Sequence, residues 1–255
     1  MANRFPLRPD DRSVAPCERS AGDVVRAVEP SFPKRDDGEG EARSQGMPGR
    51  GPLLPSSPTL AELFAVHPRD AGWTRLLAAA LPRAGPVLWV QERMAILEAG
   101  RIHPPGLGDF PSIIHVTVPD TPRLLWVMEE GLRCKGLAAV IGEAWGAHAR
   151  MDFTATRRLA FASERQGVPC WLVRLGAGQA NLSGARWRWR VESLPSLAHP
   201  FDPKAPGTSR LTLDRFRARG HPPGVEEWAD ERAAYPSPDR VDLAPAPVDR
   251  AMGEA

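Results

Sequence analysis

The clearest chemical pattern in this sequence is the segment HPRDAGWT at positions 67–74. In phosphate-binding loops of the pattern G-x-x-x-x-G-K-[ST], backbone N–H groups surround the phosphates, the lysine reaches the β- and γ-phosphates, and the hydroxyl binds Mg²⁺. Gly72 and Thr74 fit this pattern, but His67 replaces the first glycine and Trp73 replaces the lysine. An indole supplies no positive charge, and its bulk takes up space beside a phosphate. The segment therefore predicts either a degenerate nucleotide site or a loop unrelated to phosphate binding.

A pair of arginines is a second candidate for a functional site, in this case a binding surface. Arg157 and Arg158 lie in TATRRLAFASERQG, where apolar residues have the spacing of a helix. A basic pair on a helix could contact DNA or the acidic surface of a partner. The alternative is an ordinary solvated helix face, and the sequence favours that alternative slightly.

The segment RWRWRVES is the stronger candidate for a binding surface. It alternates Arg186, Arg188 and Arg190 with Trp187 and Trp189. Arginine combined with aromatic rings is typical of surfaces that bind single-stranded nucleic acid or protein. Alternation along a strand predicts that the tryptophans point into the core while the arginines face outward as contacts.

The other reactive residue types indicate neither a metal site nor a hydrolase. The histidines are dispersed, without a pair at metal-ligand spacing. Cys17, Cys134 and Cys170 lie far apart, and the apolar surroundings of Cys134 and Cys170 predict buried free thiols in a reducing compartment. No serine lies in a nucleophile-elbow motif. We expect no bound metal, no cofactor and no enzymatic activity.

Composition limits the size of the folded part and its partners. The formal charge is only +2, so a nucleic-acid interpretation must rest on a local patch. Residues 1–57 and 236–255 are rich in small and polar residues and predict a disordered extension and a disordered tail. Met47 stands just before the change to ordered-looking sequence, so part of the first segment is expected to be either a start-site artefact or a dispensable extension. No signal peptide or membrane span is recognisable, which predicts a cytoplasmic protein.

Between these ends, short apolar runs alternate with longer amphipathic ones, which predicts an α/β fold with a mainly parallel sheet flanked by helices. Strands are expected at 60–66, 86–91, 112–118, 136–143, 169–175 and 186–193, and helices at about 74–81, 121–135 and 154–166. Thr59 and Glu62 also fit a capping box, but Pro68 would break the resulting helix, so a strand is preferred.

Two further divisions of the chain are expected. Residues 58–193 should form the α/β core, and residues 194–235 a C-terminal docking element. Within the latter, SRLTLDRF predicts a strand, and VEEWADERAA a short helix or a strand end.

The order of these elements resembles the core of RecA-type ATPases. A strand, loop and helix are followed by PVLWVQE, then by a segment in which PDT precedes a helix as in bacterial RecA, and then by GLAAVIGE in place of the Walker B strand. The resemblance implies that Glu92 is a relic of the catalytic carboxylate and that Glu143 is the acid of the Walker B strand. Both residues could equally be ordinary solvated carboxylates at strand ends.

A closer resemblance is to the ImuA family, RecA-like accessory proteins of mutagenic repair in bacteria. It covers about Leu60 to Ala233 and rests on the blocks GPVLWVQ, LLWVMEEGLRCKGLAAVIGE, MDFTATRRLAFASERQGVPCWLVR, RWRWRVESLPS and SRLTLDRFRARGHPPGVEEW. The resemblance implies a non-catalytic role in SOS-induced translesion synthesis. The implied partners are an ImuB-type relative of Y-family polymerases and an error-prone DnaE-type polymerase.

Two alternatives of other classes stay open. The first is a weak or regulatory ATPase that uses Thr74, Glu92 and Glu143, with Arg69 or Arg75 in place of the missing lysine. The second is a protein that binds single-stranded DNA directly and modulates RecA filaments. Nucleotide-dependent stabilisation would support the first, and salt-sensitive binding to oligonucleotides the second.

Overall fold

The structure, a computed structural model, describes residues 51–82, 84–107 and 112–230. The expectations for residues 1–50, including those for Cys17 and Met47, lie outside the described residues. The same holds for residues 231–235 of the expected docking element and for the expected tail at 236–255.

The described part contains eight strands and four α-helices. The strands are β1 (Leu60–Ala65), β2 (Val87–Glu92), β3 (Ile113–Val118), β4 (Ala139–Trp145), β5 (Cys170–Leu175), β6 (Trp187–Leu194), β7 (Arg210–Ala218) and β8 (Gly224–Ala229). The helices are α1 (Trp73–Ala80), α2 (Arg93–Ala99), α3 (Thr121–Leu132) and α4 (Phe153–Gln166), and a short 3₁₀ turn spans Pro104–Leu107. No helix in this part is long and apolar enough to cross a membrane.

All eight strands form one sheet in the order β3-β2-β4-β5-β1-β6-β7-β8. Strands β1 to β6 all run parallel to one another, while β7 runs antiparallel to β6 and β8 antiparallel to β7. The expected α/β fold with a mainly parallel sheet flanked by helices is therefore confirmed, and it is consistent with a RecA-like core. Because parallel strands end at the same edge of a sheet, the loops that follow β1, β2 and β4 meet there, where ligands of open α/β sheets bind.

The sheet is covered on both faces. One face, called here the α1 face, carries α1 and α2, and the opposite α3 face carries α3 and α4. Every residue of β1 is buried, with Leu63 on the α1 face and Leu60 on the α3 face. A strand covered on both faces is apolar along most of its length, without clean alternation. The strand expected at this segment is confirmed, and the capped helix at Thr59 is wrong.

The two helices of the α3 face begin at aspartate caps. Asp120 accepts a hydrogen bond from the Arg123 N–H at 2.9 Å, and Asp152 accepts one from the Ala155 N–H at 2.8 Å. These carboxylates satisfy backbone donors that the first helical turn leaves free. Gly167 ends α4 with a φ of 73°, a left-handed conformation that glycine adopts without strain.

One helix is not expected from the sequence. α2 follows β2 directly, and Glu92 at its start forms no capping hydrogen bond from its side chain. Gly100, with a φ of 95°, ends the helix after seven residues. Such a short, uncapped helix has neither the start signal nor the long periodicity that sequence reading depends on. The helix matters for the site because it leads the chain to residues 99–103.

Candidate functional site

The loop between β1 and α1, at the position of a phosphate-binding loop, is held closed by its own carboxylate. Asp70 Oδ1 accepts hydrogen bonds from the Gly72 N–H at 2.8 Å and from the Ser193 hydroxyl at 2.6 Å. Its Oδ2 accepts the Ser193 N–H at 2.7 Å. In a phosphate-binding loop such backbone donors turn toward the phosphates. Here an internal anion occupies the Gly72 donor and ties the loop to the end of β6.

Gly72 is enclosed by this contact. A Cβ at this position would lie 2.3 Å from Ser193 Oγ and 2.7 Å from Leu211 Cδ2. Its φ of −56° and ψ of −31° are helical values that other residues also adopt. The glycine is therefore required by the close packing of the loop against β6 and β7, and its N–H is not free for a ligand.

Trp73 and Thr74 begin α1, and the structure gives each side chain a contact within the protein. Trp73 is only 5 % exposed, and its ring lies 6.2 Å from that of Trp89 at an interplanar angle of 41°. The Thr74 hydroxyl donates to the Ala71 carbonyl at 2.7 Å. The tryptophan thus fills the lysine position with an apolar contact across to β2.

Glu143 lies on β4 at the floor of the site. One carboxylate oxygen accepts from the Trp89 indole N–H, and the other accepts from Gln91 Nε2 at 2.9 Å. Burial raises the pKa of Glu143 from its ordinary value of 4.5 to about 7, against the opposing effect of these two hydrogen bonds. The alternative of a solvated carboxylate is wrong for this residue.

Glu92 is also buried, but on the other side of the sheet. Its carboxylate accepts from the Thr121 hydroxyl at 3.2 Å and from the Trp145 N–H at 3.1 Å. It joins the end of β2 to the start of α3 and the end of β4. The structure therefore does not bring Glu92 together with Glu143, and the solvated alternative is wrong for Glu92 as well.

The remaining residues of the suspected nucleotide site turn away from it or are paired. His67 is largely exposed, with Nε2 3.3 Å from Glu192 Oε1. Arg69 donates to the Glu98 carboxylate at 2.8 Å, and Arg75 lies 3.8 Å from the buried carboxylate of Asp230. Each of the two arginines considered as substitutes for the missing lysine therefore has a carboxylate neighbour.

A pocket of about 230 Å³ remains between the α1 face of the sheet, α1 and the segment after α2. It is lined by Arg69, Ala71, Trp73, Thr74, Trp89, Gln91, Ala99, Gly100, Arg101, Ile102, His103, Leu107 and Glu143. Four of the residues suspected from the sequence thus come together: Arg69, Trp73, Thr74 and Glu143. Trp89 and Gln91 were not suspected, although their alternation on a strand beside Glu143 could have placed them on the same face.

The tryptophans of RWRWRVES are core residues, as expected. Trp187 and Trp189 are 5 % and 0 % exposed. Their rings stack at 5.5 Å, and Trp171 of β5 stacks on Trp189 at 5.8 Å. The indoles belong to the apolar cluster of the α1 face, where they also pack near Leu211 of β7.

The expectation that the arginines of this strand face outward is wrong for Arg188. Its side chain is buried, with Nε 2.7 Å from a carboxylate oxygen of the fully buried Glu62. The guanidinium also lies 5.2 Å from the ring centres of both Phe64 and Phe216. Alternation correctly places Arg188 opposite the tryptophans, but β1 and β7 on either side of β6 cover that face with their own side chains.

The neighbouring arginines of β6 are partly exposed and paired. Arg186 donates to Glu164 of α4 at 2.8 Å, and this hydrogen bond lowers the pKa of Glu164. Arg190 donates to Asp214 at 3.1 Å and lies 4.4 Å from the ring centre of Phe216. Both arginines hold neighbouring elements together, which leaves them less available to a partner than a free cation.

The two arginines of the basic pair both lie on α4, but their surroundings differ. Arg158 donates to Glu129 of α3 at 2.6 Å. Arg157 is exposed and forms no ion pair with any residue that the structure describes. Its backbone is held firmly, because a Cβ at Gly184 would come within 2.5 Å of the Arg157 Cα. Arg157 is therefore the best placed of the five suspected arginines to meet a partner.

The cysteines differ in burial. Cys170 is buried, as expected, and burial raises the pKa of its thiol. Cys134 is exposed, so the expectation of burial is wrong there, because it lies in the short turn after α3 and not within a strand or helix. Within the described ranges, no three residues of metal-ligating type form a group that could hold an ion.

Comparison with known proteins gives two relatives and no matching family model. Both relatives are named Protein ImuA and come from Caulobacter vibrioides, one from strain NA1000 / CB15N and the other from strain ATCC 19089 / CIP 103742 / CB 15. Each is 32% identical to this chain over 189 residues, which are 68% of this chain and 72% of the relative. The similarity therefore covers most of both proteins.

Proposed function

The chain belongs to the ImuA family, and we propose that it is a non-catalytic, RecA-like accessory protein of DNA-damage-induced mutagenesis. In this role the α/β core is a scaffold that binds other proteins of the SOS response during translesion synthesis. The observation that carries the non-catalytic part is the closed loop between β1 and α1.

The closed loop opposes nucleotide hydrolysis in two ways. The Asp70 carboxylate occupies the Gly72 N–H and repels a phosphate from that position. Trp73 replaces the cation that a polyphosphate needs. Glu92, the residue that the resemblance implies as the relic of a catalytic carboxylate, does not line the pocket, because it lies on the α3 face. The family supplies the proposed partners, an ImuB-type relative of Y-family polymerases and an error-prone DnaE-type polymerase, with RecA and single-stranded DNA as further candidates.

A thermal-shift titration of the full chain with Mg-ATP and Mg-ADP tests this proposal. A ligand that binds only the folded state at 100 times its Kd stabilises that state by about 2.7 kcal/mol, which is readily measured. We expect the nucleotides, with or without Mg²⁺, to give no more stabilisation than adenosine alone, because only the phosphates and the metal depend on the loop.

The control variant is Thr74→Ala, which removes the only matching hydroxyl of the motif. Stabilisation that requires Mg²⁺, exceeds that of adenosine and disappears in Thr74→Ala would overturn the non-catalytic proposal and favour the regulatory ATPase. The direct DNA-binding alternative predicts salt-sensitive binding of oligonucleotides. The pairing of Arg186, Arg188 and Arg190 with internal carboxylates gives it less support than the sequence does.

A further inference from the structure

We propose that the pocket beside Trp73 binds a planar heterocycle with an N–H donor, of the size of a nucleobase, whose ring lies against the indole walls and whose N–H meets Glu143. This goes beyond the accessory role, which requires no small ligand. It also differs from nucleotide hydrolysis, because the ligand is recognised by its ring and not by phosphates.

The volume of the pocket sets the size of the ligand. An engineered cavity of roughly 150 Å³ holds benzene, and drug-sized ligands occupy pockets of about 300–1,000 Å³. At about 230 Å³, this pocket lies between these cases and fits one ring system with one or two fused rings. It opens at the carboxyl edge of the parallel strands, the usual position of ligands in open α/β sheets.

The walls of the pocket favour a flat, largely apolar ligand. Trp73 of α1 and Trp89 of β2 contribute indole rings inclined at 41° to each other, and Ile102 and Leu107 contribute aliphatic groups. Stacking on an aromatic side chain stabilises a bound base and tolerates different bases.

The polar groups of the pocket select for an N–H donor. Each oxygen of Glu143 accepts one hydrogen bond from the protein, although a carboxyl oxygen has two lone pairs. The side chain of Gln91 is already engaged by the protein. Its Oε1 accepts a hydrogen bond from the Ile102 N–H at 3.1 Å, and its Nε2 donates to Glu143 and to the Gly100 carbonyl. Glu143 is therefore the acceptor left for a ligand, and Gln91 holds it in place.

The mouth of the pocket is basic and held in position. Arg69 is bound to the Glu98 side chain, and Arg101 lies 3.2 Å from His115 Nδ1. Fixed guanidinium groups can meet the carbonyl edge of a heterocycle or the outer face of its ring. The pocket thus presents an acceptor at its floor and donors at its mouth, a pattern that complements a base with N–H and C=O groups.

Theophylline and caffeine test the proposal, because caffeine differs from theophylline only by a methyl group in place of the N7 hydrogen. Binding to the full chain is measured by isothermal titration calorimetry, together with adenosine. We expect theophylline or adenosine to bind at least 10-fold more tightly than caffeine. Equal binding of caffeine, or no binding of any N–H heterocycle, would overturn the proposal.

Two variants establish the site. Leu107→Trp fills the mouth with a bulky side chain at a half-buried position and should abolish binding. Leu197→Trp, at a position that is 44 % exposed and does not line the pocket, should leave binding unchanged. Thermal unfolding of each variant confirms that it is folded. Binding that persists in Leu107→Trp would place the ligand elsewhere and contradict the proposal.

The base could be free or part of a single strand, and the same chemistry serves both. An oligonucleotide that competes with adenosine, while its abasic analogue does not, identifies a base within a strand. Adenosine binding without such competition identifies a free base or nucleoside. The failure of this proposal can be distinguished from the failure of the accessory role. Mg²⁺-dependent binding of phosphates would overturn the accessory role, whereas it would not contradict the heterocycle site.

Discussion

At the scale of single residues, Asp70 explains the state of the loop better than the loss of the lysine does. An absent lysine only removes an attraction for phosphate, whereas a carboxylate inside the loop supplies its own acceptor for the Gly72 N–H. The acid is visible in HPRDAGWT as an unsuitable residue for a phosphate site. Its partner Ser193 lies 123 residues further along the chain, so the contact itself follows only from the fold.

Arg188 shows what the alternation of side chains along a strand can predict and what it cannot. The period of two predicts correctly that its side chain lies opposite Trp187 and Trp189. It does not predict whether that face is covered, which depends on Glu62 and on the rings next to it. Removing one member of a buried ion pair costs about 3–5 kcal/mol. Charge reversal at Arg188 would therefore test folding and would say little about a binding surface.

Glu143 makes the stability of the protein depend on pH. Because its pKa rises from 4.5 to about 7 on folding, the folded state binds the proton more tightly than the unfolded chain. Stability from this group is fully present below pH 4.5 and is lost as pH rises to about 7, by about 3 kcal/mol in total. We expect Glu143→Gln to flatten the change in urea midpoint between pH 5 and pH 8.

Glu130→Gln, a change on the surface of α3, is the control for this prediction and should keep the pH dependence of the parent protein. The measurement compares differences between variants, so contributions from other titrating groups cancel. An unchanged slope in Glu143→Gln would show that the buried carboxyl does not take up the proton.

At the scale of elements, α4 is the helix best prepared to meet another protein. Its inner face is fixed by Leu159 and Ala160, while its outer face exposes Arg157 between Phe153 and Phe161, which are 41 % and 64 % exposed. These three positions are four residues apart and therefore form one ridge along the helix. Arginine and aromatic side chains are enriched among residues that dominate binding energy at interfaces.

We expect Arg157→Glu to weaken binding of the proposed ImuB-type partner by at least 10-fold while leaving thermal stability within about 0.5 kcal/mol, as is usual for surface changes. Binding is measured by surface plasmon resonance and in cells by damage-induced mutagenesis. Arg123→Glu, an exposed arginine on α3, is the matched control. Equal loss in both variants would indicate a general charge effect, and no loss in either would exclude this ridge.

The elements also show what sequence reading can reach. Strands β1 to β7 and helices α1, α3 and α4 follow from apolar runs and helical spacing, and their bounds differ by at most three residues from those expected. Strand β8 is less well predicted, because the sequence leaves a short helix or a strand end open for VEEWADERAA. α2 is missed because it is short and uncapped. The pocket is predicted only in part, since Trp73 and Glu143 are found from a motif and a resemblance, while Trp89, Gln91 and the segment after α2 join them through tertiary packing.

At the scale of the whole molecule, the question is whether residues 194–230 unfold separately from the core. The sequence suggests a docking element that begins at 194, yet β7 and β8 extend the same sheet beyond β6. Leu211, Leu213 and Trp228 belong to the same apolar cluster as Leu76 of α1. An element that shares both its sheet and its core with the rest of a domain should unfold with it.

We therefore expect one cooperative transition for residues 58–230. Trp228→Ala should destabilise all of them together, by about 3–5 kcal/mol for the loss of a buried aromatic side chain. Native-state hydrogen exchange measures the effect, since amides of β1 and of β8 should lose the same free energy of protection. If only β7 and β8 lose protection while β1 keeps its full value, the C-terminal strands form an independent docking unit, and partner binding could then remodel them without unfolding the core.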